Sequence, residues 1–261
     1  KQIHIFNKND FSYLTSIGNF GEGPEEITVM GCLAIDEAHH QLYVSDHAKQ
    51  KIFSYDMDSV MVDSLYKPQV KTAMNETLFP SEYQYINDTL SIAVLIKPTS
   101  TSTFNQFLGR WNMNTGEMIP MKYTHPDIQK KRITFAASEK AGIYVECYTR
   151  HDLMTICSLD GELLYNIYGP DWDGGNGNKL QSFGTVMIGN DKIFVSYCGE
   201  DYARDSFPTK ILVFDLEGNY LKTLETGYKI SDCCYDSFNN RIILSLNDVV
   251  QFAYLDIDGI I

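Results

Sequence analysis

The sequence predicts an all-β protein: a β-propeller of six four-stranded antiparallel blades, with five blades as the alternative. Three observations indicate this class: a strand-hairpin unit that recurs along the chain, an aromatic content of 13%, and no segment with sustained helical periodicity. Aromatic side chains favour the pleated, half-buried surface of strands. Propellers commonly exceed 200 residues as one unit, so we expect a single propeller domain over residues 1–261 and no helix longer than a single turn.

The outer half of the repeating unit is a strand, a tight turn and a second strand. Residues 210–221 show it most clearly, because Glu217, Gly218 and Asn219 lie between two runs of alternating apolar residues. Asn and Gly accept the positive φ that such turns require. The pattern occurs six times, at residues 3–17, 51–60, 110–116, 156–164, 210–221 and 252–259.

The inner half of the unit is another strand pair. Residues 33–44 and 233–244 align without a gap, and this alignment places Asp36 on Asp236. Looser copies occupy residues 83–96, 132–148 and 185–197. An inner hairpin followed by an outer hairpin makes a four-stranded antiparallel sheet, and repetition of such sheets is typical of a propeller. A β-sandwich, the competing architecture, would lack this ordered alternation.

Charge and hydropathy exclude several kinds of partner. The net charge is -13, from 21 Lys and Arg against 34 Asp and Glu, and the longest basic run is residues 129–132. A phosphate backbone would be repelled, so nucleic acid is not an expected partner. No apolar run approaches the roughly 18 residues that span a bilayer, so we expect no membrane insertion. We also expect the protein to be a monomer. The first residues alternate like a strand, and no export signal stands in this sequence.

The six cysteines show neither a disulfide framework nor a Cys-x-x-Cys pair. This spacing argues against zinc and thioredoxin-like sites, and we expect most of these thiols to be buried. Cys147 and Cys157 are expected almost opposite each other on adjacent strands, which leaves a strained disulfide open. Cys233 and Cys234 are expected on opposite faces of one strand.

Four connections exceed the length of a turn and are expected to be loops that contact a partner. They are residues 67–82, 98–106, 170–181 and 199–209. Within them, Phe104, Asp171, Trp172, Asp173 and Tyr202 are the candidate binding residues. Residues 171–178 carry oxygen side chains at alternate positions, as calcium loops do. However, Ser182 stands where such a loop needs a bidentate Glu, so we expect a surface loop with Trp172 as an exposed recognition residue.

A glycine-rich segment at residues 18–26 has some likeness to a phosphate-binding loop. Such a loop lies between a strand and a helix, whereas residues 27–31 have a strand-like sequence. Glu22, Glu25 and Glu26 would also oppose an anion. We therefore expect a connection between two blades.

No catalytic, metal-binding or cofactor-binding residue is assigned from the sequence. The six histidines are scattered, with His39 and His40 at a hairpin tip. There is no His-Glu-x-x-His, no Gly-x-Ser-x-Gly and no Asp/His pair beside a candidate Ser nucleophile. A binding function is therefore favoured over an enzymatic one. The alternative is a metal-dependent lactonase or lyase, because propellers can gather ligands for an axial Ca²⁺ from several blades.

Two motifs carry a family resemblance: the Gly-x-Gly-Pro-x-Glu connection at residues 21–26, and the hairpin at residues 210–219 followed by residues 230–236. They resemble the TolB-like six-bladed propellers exported by Gram-negative gut bacteria, and the likeness covers nearly the whole chain. The resemblance implies a periplasmic or cell-surface domain of lipoprotein type. Related propellers bind proteins, peptides or glycans, and no family catalytic residues carry over. No lipobox cysteine stands in this sequence.

Overall fold

A computed structural model of the chain describes residues 3–177, 180–204 and 206–260. Two compact units make up the chain, Lys1–Met121 and Lys122–Ile261. Both consist of antiparallel sheets in which each strand pairs with the next strand in sequence. No helix in the described ranges has the length and apolar character needed to cross a membrane.

The first unit contains ten strands. They are β1 (Ile3–Phe6), β2 (Tyr13–Ile17), β3 (Met30–Asp36), β4 (Gln41–Asp46), β5 (Lys51–Asp56), β6 (Gln69–Ala73), β7 (Phe79–Asn87), β8 (Leu90–Pro98), β9 (Phe104–Trp111) and β10 (Met118–Pro120). β1 and β2 form a two-stranded sheet, and β3–β6 and β7–β10 form four-stranded sheets. β3 packs against β7, with Tyr43, Tyr83 and Trp111 in the core between the two larger sheets.

The second unit contains eleven strands. They are β11 (Ile133–Ser138), β12 (Ile143–Tyr148), β13 (Leu153–Ser158), β14 (Leu163–Tyr168), β15 (Leu180–Gly189), β16 (Lys192–Asp201), β17 (Lys210–Asp215), β18 (Tyr220–Glu225), β19 (Ile230–Asp236), β20 (Arg241–Leu246) and β21 (Phe252–Asp256). β11–β14 and β15–β18 are four-stranded sheets and β19–β21 is three-stranded. β11 packs on β15 and β15 on β19. All six residues of β12 are buried, because this strand has neighbours on both edges and both faces.

The five predicted inner hairpins are all present, as β3–β4, β7–β8, β11–β12, β15–β16 and β19–β20. The predicted equivalence of Asp36 and Asp236 is visible in their roles. Each ends the first strand of its blade and is buried. Each carboxylate accepts a hydrogen bond from the tip of its own hairpin. Asp36 accepts from the His39 backbone N–H at 3.3 Å, and Asp236 accepts from the Asn239 side-chain amide at 2.7 Å.

If a blade is defined as a sheet of at least three strands, the described residues form five blades.

Two predicted outer hairpins lack the expected second strand: residues 252–259 contain β21 alone, and residues 51–60 contain β5 followed by a helix. After β5 the chain forms a short helix, α1 (Met57–Val62), and the outer strand is β6 instead. The reason is local: the Asp56 carboxylate accepts a 2.7 Å hydrogen bond from the Ser59 backbone and so caps the helix. Val60 faces the core. The predicted loop at residues 67–82 is consequently mostly strand.

The other predicted loops are shorter than expected because strands extend into them. β8 continues to Pro98 and β9 begins at Phe104, so the connection is residues 99–103. β16 continues to Asp201, and a 3₁₀ turn follows at Tyr202–Arg204. The loop after β14 is the longest of the three, and β15 begins at Leu180.

The strand register shows whether Cys147 and Cys157 lie opposite each other. Cys147 lies opposite Met154, and Cys157 lies opposite Tyr144, so the prediction that the two cysteines are almost opposite is wrong. The connection at residues 149–152 sets a register that is three positions away from that arrangement. All six cysteines are free thiols. Cys233 is buried and Cys234 is exposed, which confirms that they face opposite sides.

Candidate functional site

Aromatic, imidazole and cationic side chains of the second unit lie together at one end of the β11–β14 blade. At this end β11 and β13 begin, while β12 and β14 finish, as the pairs Ile133–Tyr148 and Leu153–Tyr168 show. Three connections meet here: residues 122–132, residues 149–152 and the loop that begins at Gly169. We call this the loop end of the blade.

Four rings pack together at the loop end, and we call them the aromatic cluster: His125, His151, Tyr168 and Trp172. The centroid of the Trp172 ring lies 5.1 Å from Tyr168, 5.4 Å from His125 and 6.0 Å from His151. The Tyr168 hydroxyl lies within hydrogen-bond distance, 3.1 Å, of His125 Nε2. The two imidazoles are buried, Trp172 is half-buried and Tyr168 is 50% exposed. The cluster therefore exposes Tyr168 and part of Trp172 to solvent, with the two buried imidazoles packed behind them.

A buried carboxylate fixes the loop that carries Trp172. Asp152 is 3% exposed, and its Oδ2 accepts a 3.0 Å hydrogen bond from the Asp171 backbone N–H. Burial raises the pKa of Asp152. Gly169 makes this approach possible, because a Cβ at that position would lie 2.1 Å from Asp152 Oδ2. The Gly169 N–H also donates to the Asp152 backbone carbonyl at 2.8 Å, so the start of the loop is held at two points.

The calcium-like spacing of residues 171–178 has a structural use inside the loop. The Asp173 carboxylate accepts hydrogen bonds from the backbone N–H groups of Gly175, at 3.2 Å, and Gly177. Gly177 lies directly against His151, since a Cβ there would be 2.0 Å from the imidazole Cε1. Within residues 3–177, 180–204 and 206–260, no group of three or more His, Cys, Asp or Glu side chains is arranged to hold a metal ion.

A pocket of about 760 Å³ lies beside the aromatic cluster, and we call it the cationic pocket. Its walls are mainly polar, with three cationic side chains and one carboxylate, that of Asp127. The residues that matter chemically are Gln129, Lys130, Arg132, Arg150, His151 and Asn176. This positive concentration is unusual in a chain of net charge -13.

The basic run at residues 129–132 lies in the connection before β11, and its side chains are divided between core and pocket. Lys131 turns inward, and its ammonium lies 2.5 Å from Glu146 Oε1, with both side chains at least nine-tenths buried. The Tyr148 hydroxyl donates to the other Glu146 oxygen at 3.1 Å. Lys130 and Arg132 are exposed and line the pocket. Neither forms an ion pair with a carboxylate in the described part of the chain. The basic run at residues 129–132 is visible in the sequence. Arg150 and His151, which line the same pocket, are about 20 residues away in the chain.

His151 belongs to both features, because it contacts Trp172 and also lines the cationic pocket. It is 7% exposed, and its Nδ1 has no hydrogen-bond partner among the residues that the structure describes. The nearest carboxylate oxygen, Asp173 Oδ1, is 3.8 Å away, which is beyond hydrogen-bond distance. Burial lowers the pKa of His151, and this effect outweighs the negative charge of Asp173, which acts to raise it.

The predicted binding residues have different positions. Asp171, Trp172 and Asp173 lie together on the loop after β14, where Trp172 is half-buried. Phe104 belongs to the first unit, where it begins β9 and is 51% exposed. Tyr202 begins the 3₁₀ turn after β16, and its side chain lies outside the described part of the structure. His125, Tyr168 and the pocket residues were not predicted, since each is unremarkable in its own sequence segment.

The glycine-rich segment at residues 18–26 is a connection between two sheets, and it joins the β1–β2 hairpin to β3. The Glu26 carboxylate accepts a 2.8 Å hydrogen bond from the Gly23 N–H. The Lys49 ammonium donates to the carbonyls of Gly23, at 2.5 Å, and Glu26. These internal contacts use the polar groups that a bound phosphate would need.

Comparison with known proteins confirms the fold class. Residues 1–146 match the DUF5128 family, whose members are 6-bladed β-propellers. No curated protein shows significant sequence similarity to the chain.

Several solved structures share the architecture. A member of the DUF4221 family from Bacteroides vulgatus is 10% identical with a TM-score of 0.65, over 98% of this chain and 86% of that one. The extracellular domain of a proposed one-component system from B. thetaiotaomicron is 14% identical with a TM-score of 0.59, over 97% of this chain and 31% of that one. A gluconolactonase from Xanthomonas campestris is 13% identical with a TM-score of 0.55, over 90% of this chain and 75% of that one. At these identities the likeness concerns the fold alone.

Proposed function

Because the chain belongs to the DUF5128 family of 6-bladed β-propellers, we propose that it is a non-catalytic binding domain and that its ligand is a glycan. The observation that carries this proposal is the pairing of Trp172 and Tyr168 beside a polar pocket. Tyrosine and tryptophan present a broad apolar face with a polar edge. A sugar ring has the complementary form, with an apolar face and a rim of hydroxyl groups.

The pocket favours a glycan over a peptide or protein. Specific peptide and protein contacts centre on apolar and aromatic anchors that fill desolvated pockets. Here the walls carry amide, cationic and imidazole groups, and Pro126 is the one apolar side chain among the lining residues larger than glycine. A ligand that offers many hydroxyl groups satisfies these donors and acceptors better than an apolar side chain does.

An exported location agrees with this function. One structural relative is an extracellular domain, and the TolB-like resemblance also implies export. We propose that the chain is periplasmic or lies at the cell surface, where it meets glycans from outside the cell. Anchoring as a lipoprotein is part of the same proposal.

A glycan array followed by calorimetry tests the proposed function. Trp172→Ala and Tyr168→Ala should each weaken binding about tenfold or more, since each removes a stacking face. Tyr220→Ala is the matched control: Tyr220 is 59% exposed at the start of β18, at the opposite end of its blade. Trp172-dependent binding to a peptide array, with no glycan bound, would overturn the glycan assignment.

The enzymatic alternative needs its own assay. Turnover of gluconolactone by the purified protein, with added Ca²⁺ or Zn²⁺, would overturn the non-catalytic assignment and support the metal-dependent lactonase. We expect no rate above the buffer control with either ion.

A further inference from the structure

We propose that the cationic pocket binds an acidic substituent of the ligand, so that the preferred saccharide carries carboxylate or sulfate groups. The saccharide part of this inference rests on the proposed function. The anion-binding part depends only on the pocket itself.

The cationic pocket carries an excess of positive charge. Lys130, Arg132 and Arg150 line it together with one carboxylate, that of Asp127. Like charges held near one another repel, and an anion placed among them relieves this repulsion. Guanidinium groups in particular match the two oxygens of a carboxylate or sulfate with a pair of parallel hydrogen bonds. Lys131, by contrast, is neutralised by Glu146 inside the blade and contributes no charge to the pocket.

The imidazole of His151 has an unpartnered nitrogen among the described residues. A buried polar atom without a hydrogen-bond partner is costly, and native structures rarely keep one without a use. His151 Nδ1 is such an atom, and His151 is only 7% exposed. A neutral imidazole can either donate to an oxyanion or accept from a sugar hydroxyl. Both partners would be available on an acidic sugar.

The aromatic cluster and the cationic pocket are continuous with each other. His151 lies 6.0 Å from the Trp172 ring, centroid to centroid, and also forms part of the pocket wall. A sugar stacked on Trp172 and Tyr168 would therefore lie next to the pocket mouth, and its substituents would extend towards Lys130 and Arg132. The two features act as one site for a ring with an acidic group attached.

The test compares four probes by calorimetry: trigalacturonate, a neutral galactose trisaccharide of the same length, its sulfated derivative, and inorganic sulfate. We expect both acidic saccharides to bind at least about tenfold more tightly than the neutral one. Added NaCl should weaken the acidic complexes, because it screens the exposed charges. Relative affinity of the carboxylated and sulfated saccharides distinguishes the two sources of the anion.

Variants locate the binding site. Arg132→Gln and Lys130→Gln should each reduce the affinity for trigalacturonate about tenfold and remove the binding of inorganic sulfate. Lys140→Gln makes the same charge change at the opposite end of the same blade, where the side chain is 84% exposed, and should leave both affinities unchanged. Thermal melting should show that all three variants are folded.

The outcomes separate the two proposals. If the neutral and acidic trisaccharides bind equally well and Trp172→Ala abolishes both, the acidic preference is overturned while the glycan function stands. If inorganic sulfate binds in an Arg132-dependent manner but no saccharide binds, the anion pocket is supported and the glycan function is overturned. If no anion binds at millimolar concentration, the pocket proposal is overturned.

Discussion

The carboxylate of Asp152 accepts a 3.0 Å hydrogen bond from the backbone of Asp171, which lies 19 residues later and directly precedes Trp172. This bond joins the start of β13 to the loop that carries the half-exposed tryptophan. A buried acid is an expensive anchor, because burial disfavours its charged form. Its cost should therefore be visible in the pH dependence of stability.

Asp152→Asn should gain stability relative to the native protein as the pH rises. Burial raises the folded-state pKa of Asp152 above its usual value of 3.8, so the folded state retains a proton that the unfolded state has released. The native free energy of unfolding therefore falls as the pH rises from the usual value through the raised one. Asparagine keeps the acceptor oxygen and does not titrate. Urea unfolding of both proteins across this range checks the prediction, and parallel pH profiles would contradict it.

Removing one partner of the buried Lys131–Glu146 pair should lower the free energy of unfolding much more than replacing both partners with apolar residues. Glu146→Ala leaves a buried ammonium without its partner at 2.5 Å and should lower the free energy of unfolding by about 3–5 kcal/mol. The double variant Lys131→Met with Glu146→Leu should lose much less, because neither charge remains buried. Denaturant unfolding of the two variants measures the difference. A double variant as unstable as the single one would refute this account.

Gly189→Ala should destabilise the second unit by steric conflict with Tyr235. A Cβ at Gly189 would lie 2.1 Å from the Tyr235 ring, which is stacked on Phe194 with a centroid separation of 5.8 Å. Moving this ring should cost about 1–3 kcal/mol. In a Tyr235→Ala background the same substitution should cost much less, and a double-mutant cycle measures that coupling. Additive effects of the two substitutions would show that the ring is not the obstacle.

Thiol labelling should follow burial closely. Cys234 is exposed, whereas Cys147, Cys157 and Cys233 are buried. Burial raises the pKa of Cys157 to about 11 and that of Cys233 to about 12, so their reactive thiolate forms are scarce at neutral pH. An Ellman titration should find one rapidly reacting thiol in the native protein and six in denaturant without reductant. Four reactive thiols in denaturant would instead indicate a disulfide.

The blade pattern could be predicted because its signals are local. Alternation of apolar residues defines each strand, and Asn, Asp and Gly define each turn, so the inner hairpins and the Asp36 and Asp236 positions are correct. The segment at residues 57–62 was not predictable in the same way. Its apolar residues fit a strand and a helix equally well over so short a length, and the capping carboxylate of Asp56 favours the helix.

The candidate site was predictable only in part. The sequence indicated a loop with Trp172 and a basic run at residues 129–132, but nothing local connects the two. Their meeting depends on the register of β11, β12 and β13, which brings Arg150 and His151 next to both.

The sequence by itself thus determined the fold class, the order of the hairpins and the acidic character of the protein. The tertiary structure decided how the connection before β11 packs on its blade, which places Lys131 against Glu146 while Lys130 and Arg132 face the pocket. The physical reason is that Lys131 precedes β11 whereas Glu146 lies on β12, so their contact depends on the register of the blade and on how the connection packs against it, not on a local sequence pattern. Register is fixed by the packing of whole blades, and no short segment of sequence contains that information.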